Sequence, residues 1–125
     1  MFVMKEEQKH EPKHELRGGK GTLDFCHVVP PQELCGAGTQ YGVMTIPPGC
    51  SIGLHGHTDN FEIYHVLEGP ALVQDGDETR TLKAGDAEVC SNGNIHSIEN
   101  IGAEDLKVMA VILWNQDRKA LIAEG

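Results

Sequence analysis

From Thr22 onward, apolar and polar residues alternate over short runs, with glycine, proline, asparagine and aspartate gathered between them. YGVMTI (41–46), FEIYHVL (61–67), ALVQ (71–74), TRTL (79–82), AEVC (87–90), HSIEN (96–100) and LKVMAVILW (106–114) have strand length and period-two or fully apolar patterning. PP at 30–31, PPG at 47–49, AGD at 84–86 and NGN at 92–94 predict turns. The Asp75-Gly76 pair between two such runs predicts a hairpin. Many short strands with regular turns make an all-β sandwich or barrel. Only RKALIAEG, at 118–125, suggests a helix.

Leu106–Trp114 is apolar on both alternating faces. The skin of a small barrel should be polar on its outer side, so something is expected to cover this strand. A second copy of the chain, as a homodimer, is one candidate; the N-terminal segment or the C-terminal helix is the other. Residues 1–21 are charge-rich, broken by Pro12 and closed by Gly18, Gly19 and Gly21, and are read as a flexible arm. His10 and His14 stand one helical turn apart, but Pro12 between them favours a solvated tail over a metal pair. The expected organisation is an arm (1–21), one β domain (22–114) and a short C-terminal helix or tail (115–125).

At 125 residues the chain suits one domain with a real core. Its net charge of −9 argues against general nucleic-acid binding, since the arm is nearly neutral and the body carries the acidic excess. No apolar run nears the roughly 20 residues of a membrane span, and the first residues lack a signal-peptide core, so a soluble, cytoplasmic protein is expected. Cys26, Cys35, Cys50 and Cys90 form no C-x-x-C pair and are read as buried thiols in a reducing cytosol.

The chemistry lies in GLHGHTDNFEIYHVLEG, residues 53–69. On a strand, His55 and His57 project to one side, and Glu62 can return to that side after a turn through TDNF. Two imidazoles and a carboxylate on one face form a triad that leaves positions open on a divalent ion. In HSIEN, His96 shares the inward face with Ile98 and supplies a fourth donor. His65 is an odd number of residues from Glu62 and falls on the opposite face, as an outer or subunit-contact residue.

Residues 49–69 read G-x5-H-x-H-x4-E-x6-G, and residues 85–100 read G-x5-S-x-G-x2-H-x3-N. These resemble the two motifs of the cupin superfamily, departing only at Ser91, where proline is usual. The resemblance spans about residues 40–114 and implies a single-domain double-stranded β-helix, or jelly-roll barrel, with a metal inside its open end. Position by position it implies His55, His57, Glu62 and His96 as ligands. The fifteen residues between the motifs, Pro70–Ala84, resemble the spacing of small single-domain bacterial members, which often pair as dimers.

Three neutral imidazoles and one carboxylate leave a divalent ion with a charge of about +1 and, if six-coordinate, two free positions for small oxygenated or acidic ligands. Manganese, iron or nickel is favoured, zinc or copper less so. Metal release is expected as pH falls through about 6, where imidazole ordinarily takes up a proton. Ser51 and Gly53 share the face of His55 and are small, which would leave room beside the metal for a substrate; the alternative is that Gly53 eases a barrel bend. Tyr64 shares the face of Glu62 and is the candidate catalytic residue, as acid or hydrogen-bond donor; the alternative is a buried tyrosine satisfied by backbone. Cys50 and Cys90 are read as packing groups. With only Arg17, Arg80 and Arg118, an interior arginine to hold oxalate cannot be placed, and oxalate decarboxylation is not favoured. The leading reading is a metal-dependent enzyme of dioxygenase, isomerase or decarboxylase type on a small-molecule substrate. The alternative is a non-catalytic cupin that binds a small acid or sugar.

Overall fold

Alternation turns directly into strands in the computed structural model, which describes residues 1–91 and 93–115. The strands are β1 (Lys9–His14), β2 (Thr22–His27), β3 (Gly38–Ile46), β4 (Ser51–Gly56), β5 (Asn60–Glu68), β6 (Ala71–Asp75), β7 (Glu78–Leu82), β8 (Ala87–Cys90), β9 (Ile95–Asn100) and β10 (Leu106–Trp114). They form a six-stranded sheet, β1-β2-β3-β10-β5-β8, and a four-stranded sheet, β4-β9-β6-β7. The jelly roll is therefore two sheets whose ladders do not join into a closed barrel. The β6–β7 hairpin turns through Gly76 and Asp77, with Asp75 opposite Glu78 and Gly76 at φ 60°.

One core joins both sheets. Phe25, Met44, Ile46, Tyr64, Val66, Leu106, Val108 and Ala110 from the large sheet pack with Ile52, Ala71, Val73 and Ile98 from the small one. Each large side chain so buried contributes about 1.5–3 kcal/mol. The buried Asn100 has its polar atoms satisfied: its amide donates to the Ile46 carbonyl at 2.7 Å and the Glu104 carbonyl at 2.8 Å and accepts from the Gly102 N–H at 2.8 Å. It thereby ties the end of β9 to β3 and to the turn before β10.

Part of the segment read as a flexible arm is a strand. Lys9–His14 pairs along its full length with β2, Lys9 opposite His27 and His14 opposite Thr22. Its polar composition hid it, because an edge strand needs no apolar face and tolerates Pro12. Cross-strand partners serve instead: His10 meets Asp24 at 2.6 Å, His14 meets Thr22 at 2.8 Å and Glu11 meets His27 at 2.9 Å. His10 and His14 thus serve the sheet edge.

β1 lies in the same sheet as β10 with two strands, β2 and β3, between them, so Lys9–His14 does not cover the outer face of β10. That face carries Met109, Val111 and Leu113, all half-buried. The helix expected near the C-terminus lies outside the described residues. Among the described residues, no helix is long and apolar enough to cross a membrane.

Candidate metal centre

Three backbone features bring the donors together. β4 pairs with β9 so that Ile52 faces Ile98 and His55 faces His96, leaving one extra residue on β4 between these pairs. This β-bulge reverses the alternation, so the inward face passes from Ile52 to His55 across an odd step. β4 ends at Gly56, which places His57 in the turn toward β5 rather than on the strand. Asp59, at φ 65°, helps close that turn. The His57 carbonyl accepts from the Gly93 N–H at 2.8 Å, tying the turn to the loop before β9. Glu62 then enters from β5 and His96 from β9.

The donor atoms of His55, His57, Glu62 and His96 all lie within 4.8 Å of one another. Glu62 Oε1 is 3.4 Å from His55 Nε2, 3.1 Å from His57 Nε2 and 3.0 Å from His96 Nε2. His96 Nε2 is 3.1 Å from His55 Nε2 and 3.2 Å from His57 Nε2. With metal–ligand distances of about 2.1 Å, adjacent corners of an octahedron are about 3.0 Å apart and opposite corners about 4.2 Å. Five of the six pairs lie at 3.0–3.4 Å, so His55, His57, Glu62 and His96 could together hold one ion and would leave a six-coordinate metal two further positions. This donor set fits a divalent ion.

The outer atoms of the same side chains are also committed. His55 Nδ1 lies 2.8 Å from the Gly53 carbonyl, His57 Nδ1 2.9 Å from Asn60 Oδ1, and His96 Nδ1 2.9 and 3.1 Å from the two oxygens of Glu88. With an ion bound, each acceptor would hold the proton on Nδ1 and free the Nε2 lone pair for the metal. Gln40 Nε2 donates to Glu62 Oε2 at 2.9 Å, leaving Oε1 to point inward.

Electrostatics follow this crowding. Burial disfavours the Glu62 carboxylate, but hydrogen bonds from His55, His57 and His96 outweigh it and hold the group far below the usual carboxylate range. Burial likewise disfavours a charged His96, but Glu62 and Glu88 outweigh it and raise its pKa to about 9. Burial, followed by the charges of Glu62 and Glu88, pushes the Tyr64 phenol well above its ordinary value. Its ring stacks on His96, with centroids 4.5 Å apart and planes 11° apart.

Ser51 and Gly53 do not flank the centre, because the bulge turns them outward. Ser51 Oγ accepts from the Lys20 N–H at 3.0 Å. A Cβ on Gly53 would lie 2.0 Å from the Arg17 carbonyl oxygen. Their small size makes room for the N-terminal segment, not for a substrate. His65 is exposed on the outer face opposite Met109, as alternation predicts. Cys90 faces inward, and burial first, then Glu88, Asp75 and Glu62, pushes its thiol up to about 12, consistent with a packing group.

Sequence reasoning missed Gln40, Asn60 and Glu88. A signal existed for the last: in AEVC Glu88 shares a strand face with Cys90, itself read as a packing group, and it is indeed buried while Val89 is 49% exposed.

The family model for the cupin domain matches residues 42–112. A Thermotoga maritima protein called oxalate-binding protein is 37% identical over 113 residues, covering 90% of this chain and 93% of its own length. A crystal structure described as a predicted oxalate decarboxylase from Thermotoga maritima superimposes with a TM-score of 0.87 at 36% identity, over 92% of this chain and 100% of that one. KdgF from Halomonas sp. shares the fold at 19% identity, with a TM-score of 0.72 over 95% of this chain and 99% of that one.

Proposed function

The chain belongs to the cupin family, and on that premise we propose that it binds a divalent metal ion through His55, His57, Glu62 and His96 and uses the ion to grip a small chelating acid of the oxalate type. The observation that carries this reading is the spacing of the donors, with five pairs at 3.0–3.4 Å; four such ligands would leave two corners of a six-coordinate ion for a bidentate ligand. Three imidazoles and one hard carboxylate favour manganese, iron or nickel, with zinc or copper second. When bound, the ion would supply a Lewis acid that polarises a carboxyl or carbonyl oxygen. The name of the Thermotoga relative supports an acid of this class.

The chain's own groups do the rest. Among the described residues Arg17 sits in the N-terminal segment and Arg80 pairs with Glu78 at the surface. Neither adjoins the four donors, and in this reading the ion meets the charge of the substrate carboxylate. Tyr64 is the proposed hydrogen-bond donor beside Glu62 in a metal-dependent turnover of dioxygenase, isomerase or decarboxylase type. One observation favours the second reading, binding without turnover: a phenol raised so far above its ordinary pKa gives up its proton poorly near neutral pH. A second copy of the chain is the proposed cover for the outer face of β10, and sedimentation should then report twice the 13.6 kDa chain mass, against a single chain mass if the idea is wrong. The four free thiols fit the reducing cytoplasm in which we place the protein.

Calorimetry with Mn2+-loaded protein tests the substrate class. Oxalate should bind at least about tenfold more tightly than acetate, because a chelate fills both corners at the cost of ordering one molecule, and chelator-treated protein should bind neither. Equal oxalate binding by the metal-free protein would refute the reading. In the same samples, carbon dioxide release from oxalate would favour turnover over binding alone.

A further inference from the structure

Of the three histidines, His55 and His57 lean on neutral oxygens, the Gly53 carbonyl and the Asn60 amide, while His96 leans on a carboxylate. Both oxygens of Glu88 face His96 Nδ1, at 2.9 and 3.1 Å, and His96 itself is fully buried. Keeping Glu88 there goes against the grain of β8, since the strand turns an acid inward and leaves Val89 49% exposed. Packing alone does not explain that inversion, and such breaks of local pattern concentrate where function demands them. The fold makes the inversion tolerable. β8 and β7 are the edges of their sheets, and between the sheets lies a crevice of about 240 Å3 lined by Val73, Asp75, Glu78, Arg80, Leu82 and Glu88. Glu88 therefore borders this crevice while its carboxylate oxygens reach His96.

We infer that Glu88 is a positioning residue: it holds His96 in the Nδ1–H tautomer, fixes the ring against Tyr64 and makes its Nε2 the strongest imidazole donor to the ion. The inference rests on the metal reading above and extends it to a residue that never touches the ion. By adding a negative charge behind His96, Glu88 also offsets the positive charge of the loaded centre and makes His96 unequal to its two fellow ligands.

Mn2+ affinity measured by chelator competition above pH 9, where proton competition at His96 no longer offsets the effect, together with the visible spectrum of Co2+-loaded protein, tests this. Loss of an outer-shell partner typically weakens metal binding about 10–100-fold, and Glu88→Ala should fall in that range with a shifted Co2+ spectrum. Glu88→Gln keeps an oxygen acceptor for Nδ1–H but not the charge, and should fall between Glu88→Ala and the wild type. A purely structural role would not produce that order or move the spectrum. If Glu88→Ala does not fold, the Gln variant decides. Wild-type affinity and spectrum in the variants, with binding abolished by His96→Ala, would overturn the role of Glu88 and leave the metal reading standing. No Mn2+ or Co2+ binding by the wild type would overturn both.

Discussion

His96→Ala is expected to lower Mn2+ affinity by more than about 100-fold, because losing only an outer partner of a ligand already costs 10–100-fold. His96 lies within 3.2 Å of all three other donor atoms and is the most deeply buried of the four ligands. Its removal takes away one corner of the coordination polyhedron and the ring on which Tyr64 stacks. Glu62→Gln should be comparably severe for a different reason. It leaves a near-isosteric oxygen beside Gln40 but removes the one charged ligand. Titration with chelator competition reads both. Full occupancy in either variant would remove that residue from the ligand set.

Metal affinity is expected to rise steeply with pH up to about 9, the value to which Glu62 and Glu88 raise His96 despite its burial. An imidazole must be neutral to bind, so below that point each ion displaces a proton and affinity falls about tenfold per pH unit, or about 100-fold between pH 9 and pH 7. The metal-free fold should respond in the opposite sense. A His pKa raised above its unfolded value adds stability that is fully present below about 6.5 and is lost as pH rises through about 9. Competition titrations across pH 6–10 check the first effect, and urea unfolding of the metal-free protein checks the second. Flat affinity from pH 7 to 9 would mean that His96 is neutral there. Composition alone suggests release near pH 6, where an ordinary imidazole titrates; the two carboxylates facing His96 move the onset upward.

Much of this was legible in the chain because burial leaves a period. The runs at 41–46, 61–67, 71–74, 79–82, 87–90, 96–100 and 106–114 all fall within strands, and parity correctly turned His65 outward and His96 inward. That these four side chains would meet was legible too, although strand parity for His55 and His57 reached the cluster by an incomplete route. A bulge leaves no compositional mark, so the reversal between Ile52 and His55 and the outward turn of Ser51 and Gly53 were hidden. His57 occupies a turn, not the strand. β1 stayed hidden because KHEPKH pairs through backbone and surface partners, with no apolar face to betray it. Glu88 went unnoticed because its role depends on a neighbour eight residues away that only the pairing of β5 with β8 and of β4 with β9 brings close.

The most direct test is an anomalous-scattering map from crystals grown with Mn2+. One strong peak is expected at bonding distance, about 2.1–2.3 Å, from His55 Nε2, His57 Nε2, Glu62 Oε1 and His96 Nε2 together. A map with no peak among these atoms, or an ion bound without one of them, would contradict the four-donor centre.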